Sequence, residues 1–104
     1  MNYTKFSQNK IYEKQRIRLM MEWEWALKIV ERWKIEEKQF IFEYDIAIID
    51  FGTKSKESKV IANFLKNVHH SIEFWINYSN GIRNLYYENE KNFENYNKRN
   101  GISK

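Results

Sequence analysis

The chain has no cysteine, no proline and only three glycines among its 104 residues. Lack of cysteine excludes a disulfide framework, thiolate-bound zinc, iron–sulfur clusters and a cysteine nucleophile. It also removes any reason to expect an oxidising compartment, so a cytoplasmic location is expected. No run approaches the ~18 consecutive apolar residues of a membrane-spanning helix. Residues 1–18 are basic but contain no apolar core of a secretory signal, so neither secretion by signal nor membrane contact is expected. What remains fits one domain over residues 1–104.

Aromatic residues are abundant instead. Seven Tyr, seven Phe and four Trp make 17% of the chain, and hydrophobic residues make 42%. That is too much apolar surface for an intrinsically disordered chain, despite a mean hydropathy of -0.81. Eighteen Lys and Arg against fourteen Asp and Glu leave a net charge of +4, which permits an acidic partner without demanding one.

Phe, Tyr, Met, Ile, Asn and Lys supply 55 residues, and Gly, Ala, Arg and Pro only 11. This ratio follows AT-rich codons and points to a low-GC bacterium, or to one of its phages or plasmids. In composition the chain resembles the small accessory proteins of such mobile elements, and no sequence motif contributes to that resemblance.

From Phe6 to Gln39 there is neither Gly nor Pro. Tyr12, Leu19, Trp23, Ala26, Val30 and Trp33 recur at steps of 7, 4, 3, 4 and 3, which predicts an amphipathic helix. A helix of ~30 residues is ~45 Å long, more than the breadth of a compact domain of this size. Part of it is therefore expected to project, break or pair with another chain.

The next segment, Phe40–Asp50, places Phe40, Phe42, Tyr44, Ile46 and Ile48 on one parity. This reads as a strand, and the same nearly all-apolar run also suits a buried helix. Residues 52–58 form the clearest loop, with Thr53, Ser55 or Ser58 as the N-cap of a second helix. Ile61, Leu65, Val68, Ile72 and Trp75 mark that helix at steps of 4, 3, 4 and 3.

Asn80-Gly81 admits two readings. As a helix end, Gly81 takes the left-handed position after the last turn, and a third helix runs from about Ile82 to Lys98 with Leu85, Tyr86, Phe93 and Tyr96 inward. As a type I′ turn it joins two strands that partner Phe40–Ile49. The expected fold is mainly α, a small helical bundle with a long N-terminal helix and one optional short β element. The alternative is α+β with an Asn80-Gly81 hairpin.

No constellation carries specific chemistry. Asp50-Phe51-Gly52 looks like the magnesium-binding tripeptide of protein kinases, but the Gly-rich loop, lysine strand and catalytic loop of a kinase are missing. Glu43, Asp45 and Asp50 with Glu57 and Lys59 resemble the acids and lysine of a metal-dependent nuclease. Their spacing does not bring carboxylates together from paired strands, and Glu57 suits a helix start through the dipole alone. His69 and His70 lie four and three residues before Glu73, giving two ligands on one helical face and no third. No Ser lies in a strained nucleophile elbow. The chain is therefore expected to be non-catalytic, without cofactor or bound metal.

Charge is more informative. Residues 1–18 hold Lys5, Lys10, Lys14, Arg16 and Arg18 against Glu13 alone, with Tyr3, Phe6 and Tyr12 interspersed. Cations neutralise phosphates and rings stack on bases, so this segment suits DNA or RNA, and it suits an acidic protein groove equally. Trp23, Trp33 and Trp75 lie on the helical stripes and read as core. Trp25 points about 200° around the helix from Trp23, outside the stripe, as an interface anchor does.

Lys5, Lys10, Lys14, Arg16, Arg18 and Trp25 are therefore the candidate binding residues, and self-association is expected. The functional expectation is a small binding protein of a phage or mobile element that inhibits or modulates a host protein or nucleoprotein complex, as anti-CRISPR proteins do. The alternative is a basic nucleic-acid-binding protein, a replication accessory or regulator, using the N-terminal helix.

Overall fold

The computed structural model describes residues 2–99, with side chains from residue 9 onward. Two helices account for nearly all of it: α1, Asn2–Phe51, and α2, Lys56–Arg99. There is no strand among the described residues, and the fold is mainly α. The chain divides into two compact units. One comprises residues 26–77; the other joins residues 1–25 to 78–104.

In the unit of residues 26–77, the turn begins at Gly52. This glycine has φ +93°, the left-handed conformation that ends a helix and that L side chains rarely adopt. Its N–H donates to the Ile48 carbonyl at 2.9 Å. Ser55 then caps α2: its Oγ accepts from the Ser58 N–H at 3.1 Å, while the Ser58 hydroxyl donates to the Gly52 carbonyl at 2.8 Å. Ser58 is fully buried, so these bonds replace the water it has lost. Of the three N-cap candidates, Ser55 takes the role.

The packed face of α1 in this unit is formed by Ala26, Val30, Trp33, Phe40, Tyr44 and Ala47, with Glu37 between Trp33 and Phe40. It faces Ile61, Leu65, Val68, Ile72 and Trp75 of α2. Steps alternate between three and four, the 3.5-residue spacing that keeps a seam directed at a neighbouring helix. Ala26, Ala47 and Ser58 are small and buried, which lets the backbones approach, while Phe40 stacks on Phe64 with ring centroids 5.8 Å apart.

The strand reading of Phe40–Asp50 is thus replaced by helix. Its odd–even alternation arises because apolar residues occupy two faces of α1: Phe40, Tyr44 and Ala47 turn inward, and Phe42, Ile46 and Ile49 turn outward. A strand would also need a hydrogen-bonding partner, and the helix satisfies its backbone internally.

In the second unit, Tyr12, Arg16, Leu19 and Trp23 of α1 pack with Ser79, Ile82, Tyr86, Asn89, Phe93 and Tyr96 of α2. Tyr12 stacks on Phe93 at 5.2 Å, and Trp23 meets Tyr86 at 6.0 Å. Asn89 donates through Nδ2 to the Tyr12 carbonyl at 3.2 Å.

The helix break expected at Asn80-Gly81 does not occur, nor does the alternative hairpin. α2 passes straight through, and Gly81 has no positive φ. The cause is the seam itself: Ile72, Trp75, Ser79, Ile82, Tyr86 and Asn89 keep the 3-4 alternation across the glycine, so breaking the helix would forfeit the packing beyond it. Leu85, expected inward, is exposed, whereas Tyr86, Phe93 and Tyr96 are half-buried. Asn100-Gly101, which suits the end of the last helix, lies outside the described residues.

Candidate binding surface

The seam of residues 9–25 occupies one side of α1, and the opposite side carries Ile11, Lys14, Arg18, Met21 and Trp25 at steps of 3, 4, 3 and 4. That spacing aligns five side chains along one outward face. All five are exposed, and Trp25 is 52% so. Lys10 and Ile17 flank the stripe and are also exposed. The face is therefore mixed, with two cations set among an indole, a thioether and an isoleucine.

Among the remaining candidate residues, the structure separates Arg16 from this face. Arg16 turns inward. Its Nε donates to Glu90 Oε2 at 2.6 Å and its Nη2 to Oε1 at 3.0 Å, a two-pronged ion pair between α1 and α2. The guanidinium also lies 5.7 Å from the Phe93 ring centroid. The Glu90 hydrogen bond holds the Arg16 guanidinium above its ordinary pKa, against a smaller opposing effect of burial. Arg16 thus joins the two helices and leaves the outward cations to Lys14, Arg18 and Lys10. Lys5, Tyr3 and Phe6 fall among the residues whose side chains lie outside the description. Tyr12, read as a base-stacking ring, is already occupied by Phe93 and Tyr96.

The acid and histidine groups do not assemble. No group of three His, Asp or Glu capable of holding a metal ion occurs among the described residues. Asp50-Phe51-Gly52 is the end of α1, with Phe51 exposed and Gly52 serving as the left-handed terminator. Glu57 and Lys59 lie in the first turns of α2. His69 pairs with Glu37 of α1 at 2.7 Å, not with Glu73 of its own helix, and His70 is exposed on the outward side of α2. No described helix is long and apolar enough to cross a membrane.

Of the residues on this face, sequence reasoning named Lys14, Arg18 and Trp25 and left out Ile11 and Met21. The signal was present: a second 3-4 alternation, offset from the first by half a helical turn. The excess length of the first helix has a different resolution from the one expected, because α2 is itself 44 residues long and covers the inward face of α1 in both units. Length alone therefore gives no argument for a second chain. The chain matches no family model, no curated protein and no solved structure.

Proposed function

We propose that this protein is a non-catalytic binding protein that docks on an acidic partner protein through the outward face of α1 formed by Ile11, Lys14, Arg18, Met21 and Trp25. Its AT-rich composition further suggests a mobile-element accessory protein acting on a host protein or nucleoprotein. One observation carries the docking reading: the exposed cations share their face with aliphatic side chains and a single indole. A nucleic-acid surface relies on several cations with rings that stack on bases, and here Tyr12 is already occupied by Phe93 and Tyr96, which leaves Trp25 as the single ring of this five-residue face. Ile11 and Met21 have no use against a phosphate backbone. They suit a groove with an apolar floor and an acidic rim, where Trp25 supplies the anchor and Lys14 and Arg18 supply steering.

The test is affinity capture from a low-GC bacterial lysate, with and without nuclease, using the wild type beside Trp25→Ala and Lys14→Glu/Arg18→Glu. One stoichiometric protein that survives nuclease and is lost with Trp25→Ala supports the reading. Recovery that vanishes with nuclease, together with steeply salt-dependent binding to generic DNA or RNA, transfers the function to nucleic-acid binding. Exposed Trp25 is not part of the seam, so its replacement by Ala is expected to leave the melting temperature almost unchanged.

A further inference from the structure

Within the unit of residues 26–77, the side of α2 turned away from α1 carries Lys56, Lys59, Asn63, Lys66 and His70 at steps of 3, 4, 3 and 4, all exposed. At 100° per residue they share an arc of about 80°, opposite the packed face of Ser58, Ile61, Leu65, Val68 and Ile72. Exposed Lys54 joins Lys56, Lys59, Val60 and Asn63 in lining an open cleft of about 380 Å³ at one end of this stripe. No acid lies on the arc between Lys56 and His70: Glu57 falls about 100° beyond its edge, and Glu73 ends it one turn past His70.

The fold does not account for these lysines. Among the described residues none of the four is in an ion pair. The cations of α1 in this unit, Lys28, Arg32, Lys34 and Lys38, are interleaved with Glu31, Glu36 and Glu37. Lys54 and Lys56 also stand at the start of α2, where the helix dipole opposes positive charge. A negatively charged ligand relieves both the mutual repulsion and the opposition of the dipole.

We propose that this stripe binds the phosphate backbone of a nucleic-acid duplex. Its length selects a polymer. From Lys56 to His70 the helix rises ~21 Å at 1.5 Å per residue, the axial span of about six successive charges on one strand of duplex DNA. Its composition selects the duplex over a single strand. Single-strand binding draws on aromatic side chains that stack on bases, and the arc from Lys56 to His70 holds no Phe, Tyr or Trp. A duplex keeps its bases stacked on one another and needs only cations and donors at its backbone. The lysines supply the cations, and Asn63 and His70 supply side-chain nitrogens that donate to phosphate oxygens, the contact mode that carries no sequence information. The stripe uses none of Ile11, Lys14, Arg18, Met21 and Trp25, and it stands independently of the docking face proposed above.

The experiment is fluorescence anisotropy of the full chain on a labelled 20-bp DNA duplex from 50 to 200 mM salt, with helicity and melting followed by circular dichroism. Contacts from four lysines predict a slope of about −3.6 in log K against log salt, roughly a 150-fold loss of affinity over that range. Lys59→Gln/Lys66→Gln is expected to bring the slope to about −1.8. Lys56→Glu/Lys59→Glu/Lys66→Glu is expected to abolish binding with helicity retained and the melting temperature no lower than that of the wild type. Lys14→Glu/Arg18→Glu on α1 is expected to leave the slope unchanged. Absence of duplex binding at 50 mM salt, a slope indifferent to Lys59→Gln/Lys66→Gln, or tighter binding of a single strand of the same length overturns the proposal. The triple variant keeps the α1 face, so Trp25-dependent protein capture is expected to survive in it, and failure of either proposal is read separately.

Discussion

Gly81→Ala tests the course of α2 directly. Gly81 sits within a 44-residue helix, its φ is not positive, and a Cβ built on it meets nothing within 4 Å. Replacement by Ala therefore introduces no clash and removes the excess backbone freedom that glycine has in the unfolded chain. The gain for an exposed helix interior is about 0.5–1 kcal/mol. For a chain of this size that corresponds to a rise in melting temperature of about 2–8 °C. Gly52→Ala is the matched control. A Cβ at Gly52 also meets nothing within 4 Å, so any change there reports conformation alone. With φ +93° the alanine pays roughly 1–2 kcal/mol of left-handed strain, offset in part by the same entropic gain, and a net loss is expected. Thermal and urea unfolding followed at 222 nm read both. A loss with Gly81→Ala comparable to that of Gly52→Ala would refute the continuous helix and restore a left-handed helix end at residue 81.

Two further outcomes follow from the packing. Leu19→Ala empties a buried position in the seam and is expected to cost about 3 kcal/mol in urea unfolding, because a two-helix seam has few neighbours able to collapse into the space. Glu90→Gln keeps the shape of the Arg16 partner but removes its charge. With both side chains about one-third exposed, the expected loss is about 1 kcal/mol or less, diminishing in 1 M salt. The raised Arg16 pKa means that this residue's contribution is complete at every pH below the ordinary arginine range and is lost only as pH rises through its folded value. Titration of Arg16 therefore gives no pH dependence of stability below about pH 12, and a stability change between pH 7 and 10 that disappears with Arg16→Lys would contradict that assignment.

The helical stretches marked by Tyr12–Trp33 and Ile61–Trp75 were legible because their apolar residues recur at steps of three and four, as Trp23, Ala26, Val30 and Trp33 show in the first. The loop at Gly52 and the cap after it were legible for a local reason: a glycine followed by serines satisfies a helix end and the next helix start within a few residues. The pairing of Arg16 with Glu90 and of His69 with Glu37 was not legible, since partners 74 and 32 residues apart are set by the register between helices. Without that register, Arg16 read as one cation among five and His69 as a neighbour of Glu73.

The amino-acid sequence by itself determined helix type, because the absence of proline and the 3-4 recurrence of apolar residues act locally and leave each backbone group a partner within its own turn. It also determined that Trp25 lies off the inward stripe, since angular position on a helix follows from residue number alone. Only the tertiary structure decided the fate of Phe40–Asp50 and Asn80-Gly81. Both segments carry local signals for strand or turn, and both are overridden by the packing energy of the seam that continues on either side of them. Tertiary structure alone also decided which apolar residues remain outside: one neighbouring helix can cover a single face of α1, and α1 carries two.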